Sequence, residues 1–201
     1  MSDKPFRLSD GQTGPLRRAV AELVRPALEK TLGFDTLNEL YAHTQAMPPQ
    51  RPFAERALEA LNISLNVSPE GVAGIPRDGP VVVVANHPFG GLEGLVLEAL
   101  LRRARPDVKL LANYLLHLVP ELRESMFFVD PFGRPGSSRR NLSAVRAAIR
   151  WVRDGHALGV FPSGEVAHLN LRDRRIVEPP WSATVGRIVQ ICDASVVPVY
   201  F

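Results

Sequence analysis

The sequence predicts an α/β fold: a largely parallel central sheet flanked by helices, with a helical segment ahead of it. Three observations carry that expectation. Short β-branched runs such as "GPVVVVAN" (79–86) open on turns and lack polar alternation, as strands covered on both faces do. Amphipathic stretches with helical spacing separate these runs. The two kinds of segment alternate from Leu61 to Phe201, the pattern of a sheet wound with crossover helices.

Taken in order, residues 1–60 read as an N-terminal helical segment packed on the domain, and residues 61–201 as the α/β domain. Within Pro15–Leu61, Leu16, Val20, Leu23, Val24, Ala27 and Leu28 recur at helical spacing, with Pro26 a kink site. "HTQAMPPQRP" interrupts the pattern before a short helix over Phe53–Leu61. "NISLNV" (62–67) alternates polar and apolar residues and predicts a half-buried strand. Val81–Val84 form the next strand, and Gly91–Arg103 a helix with Leu92, Leu95, Val96, Ala99 and Leu100 on one side. "DVKLLAN" (107–113) and "SMFFVD" (125–130) are two further strands. Asn141–Arg153 is an amphipathic helix, with Ser137 or Ser138 as its cap and Gly155 behind it. "HALGVFP" (156–162) is a strand, and Ser182–Cys192 a helix that Trp181 starts and packs against. "SVVPVYF" (195–201) is the last strand, and its abrupt end predicts a domain truncated at its C-terminus.

Composition bounds the function. Hydrophobic residues make up 45% and charged residues 22%, ordinary for a soluble globular domain, and 201 residues suffice for one substantial core. A net charge of +3 is too mild for a nucleic-acid binder, so no nucleic-acid partner is expected. Only Lys4, Lys30 and Lys109 are lysines. The preference for arginine suits phosphate and carboxylate recognition, and equally a compositional bias. Cys192 stands alone in an apolar setting, which favours a core residue over a disulfide, a metal ligand or a nucleophile. His43, His117, His156 and His168 are scattered, so neither a metal nor a cofactor is expected. The polar start "MSDKPFRLSDGQ" has no signal-peptide core and no apolar run reaches membrane-spanning length. These features predict a cytoplasmic protein whose membrane contact, if any, is peripheral to the inner face of the cell membrane.

The chemistry-bearing stretch is "VVVVANHPFGGLEG" (81–94). His87 falls at the carboxyl end of a buried strand, where open α/β sheets place ligand sites. Glu93 falls in the first turn of the following helix, which the helix dipole favours. A carboxylate folded back on the imidazole fixes its tautomer and leaves the other nitrogen to take a proton. A strand-capping His and a helix-stabilising Glu would read the same way.

This stretch resembles the first motif of the glycerolipid and lysophospholipid acyltransferase superfamily, an Asn-His followed by a carboxylate. Its spacing is most similar to the hemolysin-like branch that includes ornithine-lipid N-acyltransferases. "FFVDPFGRPGSSRRN" (127–141), "GVFPSGEVA" (159–167) and "VVPVYF" (196–201) resemble the second, third and fourth motifs, in order. The resemblance implies an acyltransferase of lipid biosynthesis. His87 would deprotonate the amine or hydroxyl of a lipid precursor or lysolipid, and Glu93 would orient it. The acceptor would attack an acyl thioester carried on acyl carrier protein or coenzyme A, with no covalent acyl-enzyme. Asn86, Gly90, Gly91, Arg134, Phe161, Pro162, Ser163, Gly164 and Glu165 match the motif positions that would contact substrate, and N–H groups of Gly90, Gly91 or Gly164 would serve the oxyanion.

Two departures matter. Glu93 stands where the family carries Asp. The third motif reads Phe161-Pro162-Ser163-Gly164-Glu165-Val166-Ala167, where acylators of glycerol phosphates read Phe-Pro-Glu-Gly-Thr-Arg-Ser. A cation is lost and an anion gained, which favours an amino acceptor over a glycerol phosphate unless Arg134 or Arg172 binds phosphate instead. Three arginine groups suit an acidic carrier, coenzyme A phosphates or an anionic membrane: Arg139, Arg146, Arg150 and Arg153; Arg102, Arg103 and Arg105; Arg172, Arg174 and Arg175. Each group singly also fits a solvated surface. Tyr114, Leu115, Leu116 and Leu118 fit an acyl-chain groove or ordinary core. The competing readings are a non-catalytic lipid or acyl-carrier binding module and an unrelated phosphate-binding domain.

Overall fold

Val81–Ala85 (β1) is buried along its whole length, because strands flank it on both sides and helices cover both faces. The computed structural model describes residues 5–6, 33–130, 136–172 and 174–201, and the chain divides into two units, Met1–Ile63 and Ser64–Phe201.

In the first unit, helices α1 (Phe34–Ala46) and α2 (Phe53–Ala60) pack together. Arg56 of α2 is buried and donates to the carbonyls of Thr44 (2.7 Å) and Arg51 (3.2 Å), satisfying carbonyls that the end of α1 and the connecting turn leave open. The helical expectation around Pro26 lies outside the described residues.

The second unit holds the sheet. After a short helix α3 (Pro69–Ala73) and β1 come α4 (Gly91–Ala104), β2 (Val108–Asn113) and two 3₁₀ turns, Tyr114–Leu118 and Pro120–Leu122. Then follow β3 (Met126–Val129), α5 (Ser137–Arg153), β4 (Ala157–Val160), a hairpin β5 (His168–Asn170) and β6 (Arg175–Val177), α6 (Ala183–Cys192) and β7 (Ser195–Val199). The five-stranded sheet has the order β3-β2-β4-β1-β7 and every pairing is parallel, which establishes the α/β class. Pro198 lacks an amide donor and sits in β7, an edge strand where no second ladder needs one.

Alternate residues divide the core. Val82, Val84, Leu158 and Val160 face α5 and α6 through Ala148, Val152, Ile188 and Cys192. Gly159 faces the other way: a Cβ there would come within 3.2 Å of Leu110 and of Leu97, so its lack of a side chain lets α4 close on the sheet. Cys192 is a core residue, and burial raises its thiol pKa.

Several element expectations need correction. "NISLNV" alternates in burial, with Ile63, Leu65 and Val67 half-buried, yet it forms no strand: it pairs with no strand among the described residues. Helix α5 starts one turn early, at Ser137, with Gly136 (φ 79°) as its cap and no side-chain hydrogen bond there. Trp181 does not pack: it is exposed, precedes the true cap Ser182, and donates Nε1–H to Glu178 at 3.0 Å.

The amino ends of β2 and β4 carry an ionic junction. Arg105, almost fully buried, makes two bonds to Asp107 (2.6 and 2.7 Å) and donates to the carbonyls of Pro76, Gly79 and Gly155. Asp107 also meets Nδ1 of His156 at 2.8 Å. His156 lies against Trp151 (centroids 4.0 Å apart), and the Lys109 ammonium covers Trp151's ring at 4.8 Å. The Arg105 guanidinium, seconded by His156, holds the Asp107 pKa well below the usual carboxylate range, at about 2. Arg105 is therefore a structural tie rather than part of a partner-facing basic surface.

Candidate active site

His87 and Glu93 converge beyond the carboxyl end of β1. Pro88–Gly90 turns the corner, with Gly90 at φ 88°, a conformation that a side chain would strain. The turn returns the chain as α4, so its third residue, Glu93, points back toward the strand end. Glu93 Oε1 accepts the N–H of Phe89, close to a capping-box arrangement. The same oxygen lies 3.3 Å from His87 Nδ1, near but outside hydrogen-bond alignment. Glu93 is 1% exposed and its Oε2 has no hydrogen-bond partner. A buried carboxylate in that state gains strongly from an adjacent N–H or cation. Pairs of this kind commonly tighten only when substrate is bound.

The imidazole is held from a second side. Phe161, at the carboxyl end of the adjacent strand β4, stacks on it with centroids 4.3 Å apart and planes 20° apart. The backbone returns as well, since Ala167 donates its N–H to the His87 carbonyl at 2.8 Å. The first and third motifs are thereby fastened together. With Nδ1 turned to Glu93, Nε2 is the nitrogen left for proton transfer.

His87 borders a cavity of about 480 Å³ whose walls also draw on α4, β2, β3 and the third motif. The walls are chiefly apolar, among them Leu111, Leu115, Leu116, Met126 and Val129. Leu115 and Leu116 are thus groove residues, whereas Tyr114 and Leu118 do not line it. Gly90 and Gly91 lie at its edge, at the amino end of α4, where the first N–H groups have no partner within the helix.

The remaining candidates separate. Glu165 and Gly164 border the cavity, but the Gly164 N–H donates to Phe161 at 3.0 Å in a turn and is already used. Ser163 is not in the wall; its hydroxyl donates to the Glu165 carbonyl at 2.9 Å. Pro162 is buried and accepts the N–H of Ser182. Asn86 does not line the cavity: its side chain brackets Phe201, accepting the N–H at 2.7 Å and donating to the carbonyl at 3.2 Å. It thereby ties the chain beyond β7 to the end of β1. Asn141 does the same for Asp130 in the second motif (2.7 and 2.8 Å). Arg134 lies outside the described residues. The contributions of Met126 and Leu110–Asn113 escaped the motif reading; for Ala112 and Asn113, a place at the carboxyl end of a parallel strand was the available signal. Among the described residues no group of three potential ligands forms a metal site, and no helix is long and apolar enough to cross a membrane.

A comparison with curated proteins found no match. A family model described as "Acyltransferase" matches residues 66–201, well over half the chain and all four motif stretches. With that match over a parallel α/β sheet, the chain belongs to the acyltransferase family, the glycerolipid acyltransferases.

Proposed function

We propose that this protein transfers a fatty acyl group from a thioester on acyl carrier protein or coenzyme A directly to an amino group of a lipid precursor, as in the hemolysin-like branch. The observation that carries the reading is the His87–Glu93 pair, with its buried carboxylate 3.3 Å behind an imidazole that borders an apolar cavity. The bound ammonium first releases one proton to solvent, and His87 Nε2 removes a second as the neutral nitrogen attacks the thioester carbonyl. The C–S bond then breaks, and the imidazolium returns the proton to the departing thiolate. Glu93 stabilises that transient imidazolium, and N–H groups of Gly90 or Gly91, at the cavity's edge, serve the oxyanion. The apolar wall, including Leu115 and Leu116, accommodates the acyl chain.

Preference for an amine over a glycerol phosphate rests on charge. Among the described residues no Lys or Arg lines the cavity, while Glu165 does, and a carboxylate at the mouth favours a cationic acceptor over a phosphate. In this role the protein would act at the inner face of the cell membrane. Thiol release from an acyl thioester tests the reading, with an amino-lipid precursor and lysophosphatidate offered in parallel. Faster turnover on the amine supports it; robust acylation of lysophosphatidate with none on amines removes the amine preference.

A further inference from the structure

Among the described residues nothing covers the apolar face of the hairpin that follows the third motif. β5 and β6 pair only with each other, in a separate two-stranded sheet. Leu169 and Ile176 are directly opposed across it, so they share a face, and they are 57% and 75% exposed. Leu171, two residues beyond Leu169 at the tip, is 80% exposed. Three large aliphatic side chains in water at one hairpin end are costly unless something covers them. The ten residues "HLNLRDRRIV" (168–177) carry three arginines against one aspartate. Trp181 is exposed just beyond, a residue type that settles at membrane–water boundaries.

The base of the hairpin is tied to the site. Val166 lines the cavity, and Ala167 is the residue bonded to the His87 carbonyl. Whatever the hairpin rests on therefore lies beside the cavity mouth.

We propose that the β5–β6 hairpin seats this domain on an anionic lipid bilayer. Leu169, Leu171 and Ile176 enter the interface, while Arg172 and Arg174 meet lipid phosphates. Exposed aliphatic side chains on a hairpin that also carries arginines match a bilayer's apolar interior and negative surface together. The purpose of the contact rests on the acyl-transfer reading, since it would bring the cavity to its lipid substrates; the contact itself is testable without turnover.

The test is sedimentation of the full chain with phosphatidylcholine vesicles, with and without phosphatidylglycerol. The wild-type chain is expected to bind the anionic vesicles more tightly than the neutral ones. The triple variant Leu169→Ser/Leu171→Ser/Ile176→Ser should lose binding at least about tenfold, while retaining its thermal unfolding and its turnover of detergent-dispersed substrate. Arg172→Gln/Arg174→Gln should weaken binding to anionic vesicles only, by roughly fivefold per charge. Leu171→Ser alone, at the exposed tip, should give a smaller loss and guards against a misfolded triple variant. His87→Ala should bind like wild type, so failure of the catalytic reading is separable from failure of this one. No wild-type binding, or triple-variant binding equal to wild type, overturns the proposal. So does a triple variant that changes only the oligomeric state, which would make the face a protein interface.

Discussion

The same trio of histidine, carboxylate and aromatic ring stands at both ends of the sheet. At the carboxyl ends of β1 and β4, His87 faces Glu93 and stacks on Phe161. At the amino ends of β2 and β4, His156 faces Asp107 and lies tilted against Trp151, with ring planes 30° apart. The difference lies in what surrounds each carboxylate. Asp107 is partly solvated and fully engaged by the Arg105 guanidinium, which fixes three loop carbonyls as well. Glu93 is buried, keeps one oxygen unpaired, and supports a histidine that borders a cavity. A histidine–carboxylate contact therefore identifies chemistry only when unmet demand and space for a reactant accompany it.

Breaking each trio should separate them. His87→Ala should lower kcat/KM by roughly 10²–10⁴-fold with unfolding unchanged, whereas His156→Ala should leave turnover intact and reduce stability. A thiol-release assay beside a thermal melt reads both. Arg105→Ala should destabilise the domain by about 3 kcal/mol, because Asp107 and three carbonyls lose their donor together. Urea unfolding measures this, and kcat/KM of the folded fraction should hold.

Glu93→Gln sharpens the contrast. The amide can still accept from Phe89 but cannot stabilise an imidazolium, so turnover should fall about 10²-fold and less than for His87→Ala, with little change in KM.

Acid titration gives the smallest effect. The Asp107 pKa is depressed from 3.8 to about 2 in the folded state, so its ionised form favours folding above pH 4. That contribution should be lost as pH falls from about 4 to about 2. Asp107→Asn should flatten this part of the stability profile, read by unfolding at several pH values.

Much of this was legible in the sequence, for reasons particular residues make plain. Val81–Val84 could only be a covered strand, and a histidine after such a strand belongs at the ligand edge of a parallel sheet. Period-2 burial was legible in Ile63, Leu65 and Val67, but pairing was not, because hydrogen-bond partners are a property of the assembled sheet. Asn86 shows the same limit: its place in the motif gives no sign that its amide is spent on the Phe201 backbone. Asp107 and His156 are far apart in sequence, so nothing local announces a second trio. Leu169, Leu171 and Ile176 look like core residues until the fold leaves them in water.

The most direct test compares lipid extracts, by mass spectrometry, from bacteria expressing the wild-type chain, His87→Ala or His156→Ala. A new acylated amino lipid should accompany the wild type and His156→Ala and vanish with His87→Ala. Persistence of that lipid with His87→Ala, or its absence when the folded wild-type chain is expressed, would contradict the assignment of the carboxyl-edge trio as the acyl-transfer site.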